Sequence, residues 1–401
     1  MTDTTFAQAI YTKAARANPY PIYAQMRAAN RLTPVIGPMT GNTFWFATHY
    51  HDCVALLKDQ RFGKSIRKRL PPEILERFPP PDPLFETINN NMLFTDPPDH
   101  TRLRSLVHKA FTPRMIENLR SRIVEISEGL LDAMQDSHET DLIESFALPL
   151  PITVIAELLG IPVAERDQFR AWSQAILFQV PEQSAAAAME FVMYFHALFD
   201  ERRKNPGDDL ISALVQTEEA GMMLSTEELT GMIFLLLVAG HETTVNLIGN
   251  GTLALIQHPD QMRKLQADPL LVKNAVEEML RYNGPVEIAT VRWAFEDVAI
   301  GDQVIPIGDA LVVSLAAANH DPAVFEHPET FDITRDAHKH IAFGQGIHYC
   351  LGAPLARLEG TIAIGALVKR LPDIELAVDV DDLAWSEGLL LHGMKAMPVR
   401  Y

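Results

Sequence analysis

The stretch "FGQGIHYCLG" (residues 343–352) places Cys350, one of only two cysteines in 401 residues, on a glycine-rich loop. The following residues, "LGAPLARLEGTIAIGALVKRLP", have helical spacing with Pro354 tolerated in the first turn, so the sequence predicts Cys350 at a helix N-terminus. Free backbone N–H groups and the positive end of the helix dipole stabilise a thiolate there. Gly344 and Gly346 allow the loop to fold tightly and to approach a flat partner.

Several chemistries use a cysteine, and the neighbouring residues separate them. A dinucleotide-binding loop fails because the third glycine position of G-x-G-x-x-G is Tyr349. A cysteine hydrolase needs a base beside the thiol, and a histidine two residues away on the same loop is poorly placed for that role. A zinc site stays open, although the spacing matches no common zinc module, because possible ligands fall within 13 residues: His338, His340, His348 and Cys350. A thiolate ligand of haem iron would use every feature of the stretch.

Composition and charge limit the class of protein and the cellular compartment that the sequence allows. With 47% hydrophobic and 21% charged residues and no linker or repeat, the chain is predicted to form a single domain, residues 1–401, with a substantial core. The formal net charge of -18 repels nucleic acid and anionic membrane surfaces. Two cysteines suit a reducing compartment, and the N-terminal residues lack a signal peptide or membrane anchor. We therefore expect a soluble, cytoplasmic protein that binds no nucleic acid.

The hydrophobic pattern predicts a mainly α (α+β) fold, with helical spacing over most of 101–282 and 351–371. Strands are expected in two places: a hairpin in 33–48 around Gly41 and Asn42, and short strands separated by Gly-Asp turns in 297–315. The proline-rich stretch 66–99 has little periodicity and is predicted to be a long functional loop.

A long buried helix is predicted from 226 to 257. Ser225 and Glu228 form a capping box, and no proline follows until Pro259, which gives a helix of about 48 Å. Its middle, "MIFLLLVAG" (232–240), is apolar all round, and "HETT" (241–244) comes next. These polar residues indicate either a polar patch on an exposed turn or a kinked helix whose acid and alcohol face an internal cavity.

In this context the sequence resembles the soluble bacterial cytochromes P450, the haem-thiolate monooxygenases. The family pattern F-x-x-G-x-H/R-x-C-x-G is met by residues 343–352, and A/G-G-x-D/E-T-T by residues 239–244. Glu278 and Arg281, whose spacing alone is typical of an exposed ion pair, match the family's E-x-x-R pair, and Arg335 resembles the third member of that buried cluster. "DPPDHTRLR" (96–104) resembles the segment that meets the haem propionates. The motifs keep the family order.

The resemblance implies a large helical region, a smaller β-rich region, and haem b between a long distal helix and the proximal cysteine loop. It implies that Cys350 is the iron ligand, and that Thr243 and Glu242 are the alcohol and acid that deliver protons to dioxygen. The implied propionate ligands are His100, Arg104, Arg292 and His348. Further cofactor contacts are implied at Phe343, Gly344, Gly346 and Ala239.

A hydrophobic small molecule is the expected substrate, because the residues that match the family's substrate site are apolar: Met92, Leu93, Leu235, Val238, Ala239, Ile288 and Leu391. A monooxygenase fed by a separate ferredoxin or flavodoxin-type donor is favoured, since no flavin or nicotinamide domain is evident. A peroxide-driven or non-oxygenating haem enzyme and a zinc-stabilised binding protein are the alternatives. The segment 101–114 is implied to lie beside the proximal surface, where Arg102, Lys109 and Arg114 would meet an acidic donor.

Overall fold

The computed structural model describes residues 3–37, 42–80, 82–165, 168–169, 171–172, 175–176, 181–217 and 221–401. The chain divides into two compact units, each described by itself. The first unit comprises 1–75, 124–148 and 243–401, and the second comprises 76–123 and 149–242. A single domain over 1–401 stays a prediction.

Helices dominate both units, as predicted. The α-helices of the described residues are Asp3–Ala9, Lys13–Ala17, Tyr20–Ala29, Tyr50–Leu56, Ile66–Arg69, Pro72–Leu75, Pro83–Asn89, Asp99–Ala110, Pro113–Asn118, Arg120–Met134, Pro149–Leu159, Pro181–Lys204, Leu210–Gln216, Thr226–Gln257, Pro259–Ala267, Val272–Tyr282, Leu315–Asn319 and Ala353–Arg370. A π-helical turn covers Ile143–Ala147, and 3-10 turns cover Val163–Glu165, Pro269–Leu271, Gly346–His348 and Val380–Asp382.

Strands occur in the first unit and form three sheets. They are β1 (Leu32–Ile36), β2 (Thr43–Ala47), β3 (Phe62–Gly63), β4 (Glu139–Asp141), β5 (Arg292–Ala294), β6 (Val298–Ile300), β7 (Gln303–Ile305), β8 (Ala310–Val313), β9 (Glu375–Leu376) and β10 (Pro398–Arg400). The largest sheet has the order β1-β2-β8-β5-β3, with β2 and β8 parallel and the other pairs antiparallel. The others are β4-β10-β9 and β6-β7.

Both predicted strand regions are confirmed. The hairpin pairs Leu32 with Ala47 and Ile36 with Thr43, whereas Gly41 of its turn lies outside the described residues. The region 297–315 contains β6, β7 and β8. Apolar residues of the five-stranded sheet pack against helix Tyr50–Leu56 on one side and against the N-terminal helices on the other.

The prediction of one long loop over 66–99 is wrong. This stretch contains three short helices, Ile66–Arg69, Pro72–Leu75 and Pro83–Asn89. Two of them begin at a proline, which is favourable in a first helical turn because that turn leaves its N–H groups unpaired in any case. Two of the prolines that suggested an irregular segment therefore mark helix starts.

The long helix has the predicted bounds, Thr226–Gln257, and continues unbroken through the "HETT" stretch. Its capping box is confirmed: the Glu228 amide donates to Ser225 Oγ at 3.1 Å, and the Ser225 amide donates to Glu228 Oε2 at 2.9 Å. The helix is long and apolar enough to cross a membrane, but 67% of its most apolar window is buried within the protein. That burial is typical of a core helix.

A buried ion cluster organises the first unit. Arg281 and Glu278, on helix Val272–Tyr282, form a two-pronged contact at 2.7 and 2.8 Å, and both side chains are completely buried. Arg335 reaches the same carboxylate at 3.3 Å. Arg281 also donates to the backbone oxygens of Asn319, Pro328 and Thr330. One guanidinium thereby fixes segments far apart in the chain.

Replacing Arg281 with methionine should lower the free energy of unfolding by ~3–5 kcal/mol, because the Glu278 carboxylate would remain buried without its main partner. Chemical denaturation measures the loss. Arg120→Met is the matched control, since Arg120 pairs with Glu117 at the same i,i+3 spacing but on the exposed surface. Its loss should stay below ~1 kcal/mol. Similar losses in both variants would show that the buried cluster contributes little.

Candidate active site

The cysteine loop is shaped by two glycines with positive φ. Gly344 and Gly346 have φ values of 71° and 75°. A Cβ atom at Gly346 would lie 2.9 Å from the backbone oxygen of Leu57, so a side chain there would collide with the backbone. The Cys350 amide donates to the Phe343 oxygen at 2.9 Å and closes the loop. The helix begins at Ala353 with Gly352 as its N-cap, so the exposed Cys350 lies just before the helix rather than within its first turn.

Glu277 holds both flanks of this loop. It accepts from Arg357 at 2.6 and 2.9 Å and contacts His340 Nε2 at 2.9 Å. Burial acts to raise the pKa of Glu277, but the hydrogen bonds from Arg357 and His340 outweigh it and lower the pKa to about 2. The Arg357 guanidinium also lies 4.5 Å from the centre of the Phe343 ring. Sequence reasoning missed Glu277, because its partners lie more than 60 positions away.

The zinc interpretation is not supported. His340 is engaged by Glu277, and among the described residues no group of three histidine, cysteine, aspartate or glutamate side chains could hold a metal ion. The other cysteine, Cys53, is buried, and its thiol lies 3.3 Å from the Ala47 oxygen. Burial raises the pKa of Cys53 far above its ordinary value. Cys350 is therefore the cysteine suited to ligand chemistry.

In the long helix, Glu242 and Thr243 come shortly after Gly240, which packs closely against Ile155 of a neighbouring helix. A Cβ atom at Gly240 would lie 3.2 Å from Ile155 Cδ1, so an added side chain would require Ile155 to shift by a few tenths of an ångström. Glu242 and Thr243 are half-buried, whereas His241 and Thr244 are buried. The exposed-patch interpretation of this stretch is therefore wrong. A kink is not needed to present the acid and alcohol, because the helix is continuous.

Each of the two units carries two of the four basic side chains expected to bind propionates. His100 and Arg104 stand one turn apart on helix Asp99–Ala110 of the second unit. The pKa of His100 is lowered, first by burial and then by Arg104. Arg292 begins β5 in the first unit and is buried, and His348 lies half-buried in the cysteine loop. Two cations kept from solvent, Arg104 partly and Arg292 almost fully, suit anionic ligands.

The substrate candidates of the second unit share one side of the long helix. Leu235, Val238 and Ala239 recur at helical spacing with Glu242. One turn earlier, a Cβ atom at Gly231 would lie 2.6 Å from the Asn90 oxygen, so the segment bearing Met92 and Leu93 approaches the same side. In the first unit, Ile288 and Leu391 lie on adjoining segments joined by a bridge between Val286 and Leu391.

The structure corrects one prediction for the basic segment 101–114. Arg102 is not available to an outside partner, because both of its terminal nitrogens contact the Glu228 carboxylate. Glu228 is also the capping-box residue of the long helix, a link that the sequence pattern did not reveal. Lys109 and Arg114 remain exposed.

Comparison with known proteins decides the family. A sequence profile described as "Cytochrome P450" matches residues 167–372. The chain is 46% identical to "Polyketide biosynthesis cytochrome P450 PksS" of Bacillus subtilis (strain 168), over 95% of both chains. It is 48% identical to "Cytochrome P450 monooxygenase PikC" of Streptomyces venezuelae, over 96% of this chain and 91% of PikC. The chain belongs to the cytochrome P450 family.

The solved structures confirm the cytochrome P450 fold. The myxobacterial cytochrome P450 CYP267B1, in complex with myristic acid, matches with a TM-score of 0.92 and 49% identity, covering 98% of each chain. The predicted class, an oxidoreductase that uses molecular oxygen, is likewise confirmed by relatives named as monooxygenase and hydroxylase. This family uses haem b with a thiolate iron ligand, and the exposed Cys350 loop and shielded basic side chains fit that group.

Glu359 of this cytochrome P450 was not predicted from the sequence. It lies on helix Ala353–Arg370, is 1% exposed, and neither carboxyl oxygen has a hydrogen-bond partner of good geometry among the described residues. Burial raises the pKa of Glu359 to about 8, although the Thr244 hydroxyl acts in the opposite direction. The side chain is therefore largely neutral at pH 7. The sequence signal that could have revealed this residue is a glutamate within an apolar helical pattern.

Glu359 should make the protein less stable as pH rises. Its pKa is raised from 4.5 when exposed to about 8 when folded, so in this range the folded state binds the extra proton. Stability is highest below the lower value and falls by ~1.4 kcal/mol per pH unit until the higher value is passed. Glu359→Gln removes this contribution, so the unfolding free energy of the variant relative to wild type should increase with pH between pH 5 and 8.

Denaturant unfolding at several pH values measures that difference. Asp59→Asn is the control: the hydrogen bonds from Arg61 lower the pKa of Asp59 below its ordinary value of 3.8, so its difference from wild type should stay flat across the same range. A flat difference for Glu359→Gln as well would show that Glu359 is ionised in the folded protein.

Proposed function

We propose that this cytochrome P450 inserts one oxygen atom of O2 into a small to medium hydrophobic organic substrate, by hydroxylation or epoxidation, in the cytoplasm. Electrons come from separate proteins, such as a ferredoxin and its reductase. The observation that carries this proposal is the placement of Cys350. Cys350 is exposed on a glycine-containing loop just before a helix N-terminus, whereas Cys53 is buried in the core.

Haem b, when bound, supplies the iron at which dioxygen is reduced and an oxygen atom is transferred. Cys350 is the proposed iron ligand, and the helix that follows it stabilises the thiolate form. His100, Arg104, Arg292 and His348 are proposed to neutralise the propionates by charge-assisted hydrogen bonds. Contacts with the haem ring are assigned to Phe343, Gly344, Gly346 and Ala239.

Proton delivery is assigned to Glu242 and Thr243, consecutive residues of the long helix. The carboxyl group can hold a proton and the hydroxyl group can pass it on, since a hydroxyl both donates and accepts. Their presence favours an O2-dependent reaction over the peroxide-driven alternative, because peroxide arrives with its protons and electrons already added.

An apolar substrate is proposed from the lining of the candidate site. The side of the long helix that carries Leu235, Val238 and Ala239 offers few polar anchors, and Ile288 and Leu391 are also apolar. The neighbour CYP267B1 was solved with myristic acid, a molecule dominated by a hydrocarbon chain. That similarity supports a hydrophobic ligand here.

Replacing Cys350 with alanine should abolish the red-shifted Soret band of the reduced, carbon monoxide-bound protein, because that band requires thiolate ligation. The absorption spectrum of purified protein checks this directly. Cys53→Ala, which removes the other thiol, should keep the band. Retention of the band in Cys350→Ala would exclude Cys350 as the iron ligand.

Electron delivery can be tested on the second unit's exposed basic residues. We expect Lys109→Glu combined with Arg114→Glu to slow ferredoxin-driven reduction several-fold at low salt, because reversed charges repel an acidic donor. The effect should shrink near physiological ionic strength, where the Debye length is ~8 Å. Stopped-flow reduction measures the rate, and substrate titration checks that binding is intact.

The control for this test is Lys204→Glu combined with Lys264→Glu. It makes the same change in net charge at exposed lysines elsewhere on the protein. This control should reduce normally. Equal rates for the control and the Lys109/Arg114 variant would move the docking surface elsewhere.

A further inference from the structure

His241 makes two contacts in the middle of the long helix. Its Nδ1 atom lies 2.8 Å from the Leu237 backbone oxygen, one turn earlier, and its Nε2 atom lies 3.3 Å from Glu242 Oε1. The His241 side chain is 1% exposed and that of Glu242 is 18% exposed. Both nitrogens of a buried imidazole therefore face oxygen atoms.

These contacts determine how many protons the pair must hold. A carbonyl oxygen only accepts, so the hydrogen bond to Leu237 requires the ring proton on Nδ1. In a neutral ring Nε2 then carries a lone pair, and an ionised Glu242 also presents only lone pairs. Two facing lone pairs at 3.3 Å in a buried place repel each other, whereas one added proton makes the contact attractive.

We propose that His241 and Glu242 share one proton and that His241 positions it for delivery through Thr243. This inference rests on the proposed function of Glu242 and Thr243 and deepens it. In the delivery step Glu242 releases the shared proton toward the Thr243 hydroxyl and the oxygen being reduced. The pair is left with one positive charge fewer and regains one proton from water. The electrons come from the redox partner, and no other bond forms or breaks in the pair.

His241 acts through Glu242 and is therefore a positioning residue. His241→Gln is the informative variant, because glutamine can still donate a hydrogen bond to Glu242 but cannot take up or release a proton near neutral pH. We expect a several-fold increase in the fraction of reducing equivalents released as peroxide, with substrate affinity unchanged. His241→Phe, which keeps an aromatic ring at this position, is expected to behave alike and serves if the glutamine variant does not fold.

A matched control lies one residue beyond the end of the same helix. His258 Nδ1 lies 2.8 Å from the Ala254 oxygen, the same one-turn contact that His241 makes, and no carboxylate contacts its ring among the described residues. His258→Gln should couple oxygen to product as well as wild type. Comparable peroxide release from His258→Gln and His241→Gln would overturn the inference, since loss of the backbone contact would then explain both.

A second readout does not depend on turnover. In protein labelled with ¹⁵N-histidine and held in the diamagnetic reduced, carbon monoxide-bound form, nuclear magnetic resonance reports the protonation of each His241 nitrogen. We expect Nδ1 to be protonated and the Nε2 resonance to shift in Glu242→Gln. An Nε2 resonance of a plain lone-pair nitrogen, unchanged by Glu242→Gln, would overturn the shared proton.

The variant Thr243→Ala distinguishes a failure of this inference from a failure of the proposed function on which it rests. If Thr243→Ala raises peroxide release and His241→Gln does not, the delivery route stands and the role of His241 is wrong. If Thr243→Ala leaves coupling unchanged, the proposed delivery route itself is wrong, and the inference falls with it. Raised peroxide in both variants, together with the Nε2 shift, supports the inference.

Discussion

Two consecutive carboxylates, Glu277 and Glu278, set the geometry on which the cysteine loop depends. Glu278 binds Arg281 and Arg335, and Arg281 in turn holds backbone oxygens of 319–330. Glu277 binds His340, just before the loop, and Arg357, just after it. One short helix, Val272–Tyr282, thereby fixes both the segment that leads to the loop and the helix that leaves it. Ion pairs on both flanks therefore add to the loop's own hydrogen bond in fixing the position of the thiol.

This arrangement uses interactions that are expensive in isolation. Burying a charge costs several kcal/mol, and a buried ion pair recovers that cost only with good geometry and further hydrogen bonds. Arg281 meets the condition, because its nitrogens reach one carboxylate and three backbone oxygens. Such a cluster tolerates little displacement, since moving any one segment leaves a charge or a carbonyl unpaired. The gain is a loop with one defined position, which a metal ligand requires.

Local patterns in the sequence predicted local structure well, and the reason is physical. The capping box and the absence of proline fixed the bounds of Thr226–Gln257, because helix ends are decided by residues within one turn. The motifs at 239–244 and 343–352 could also be recognised, because each depends on spacings of only a few residues. Contacts between distant positions could not be predicted: Arg102 had no visible partner until folding brought Glu228 beside it. Glu359 was missed for the same reason, since burial by distant segments determines its charge state.

Three glutamates show how the partner determines what a carboxylate can do. Glu277 is ionised because Arg357 and His340 donate to it, and a guanidinium cannot give up its proton, so this contact is permanent. Glu359 lacks such donors, and burial keeps it largely neutral near pH 7. Glu242 faces an imidazole, a group that can hold or lose a proton. Glu277 also contacts an imidazole, that of His340, but its guanidinium partner keeps it ionised. Glu242 pairs with an imidazole and, among the described residues, with no guanidinium. It also stands beside the alcohol to which proton delivery is assigned.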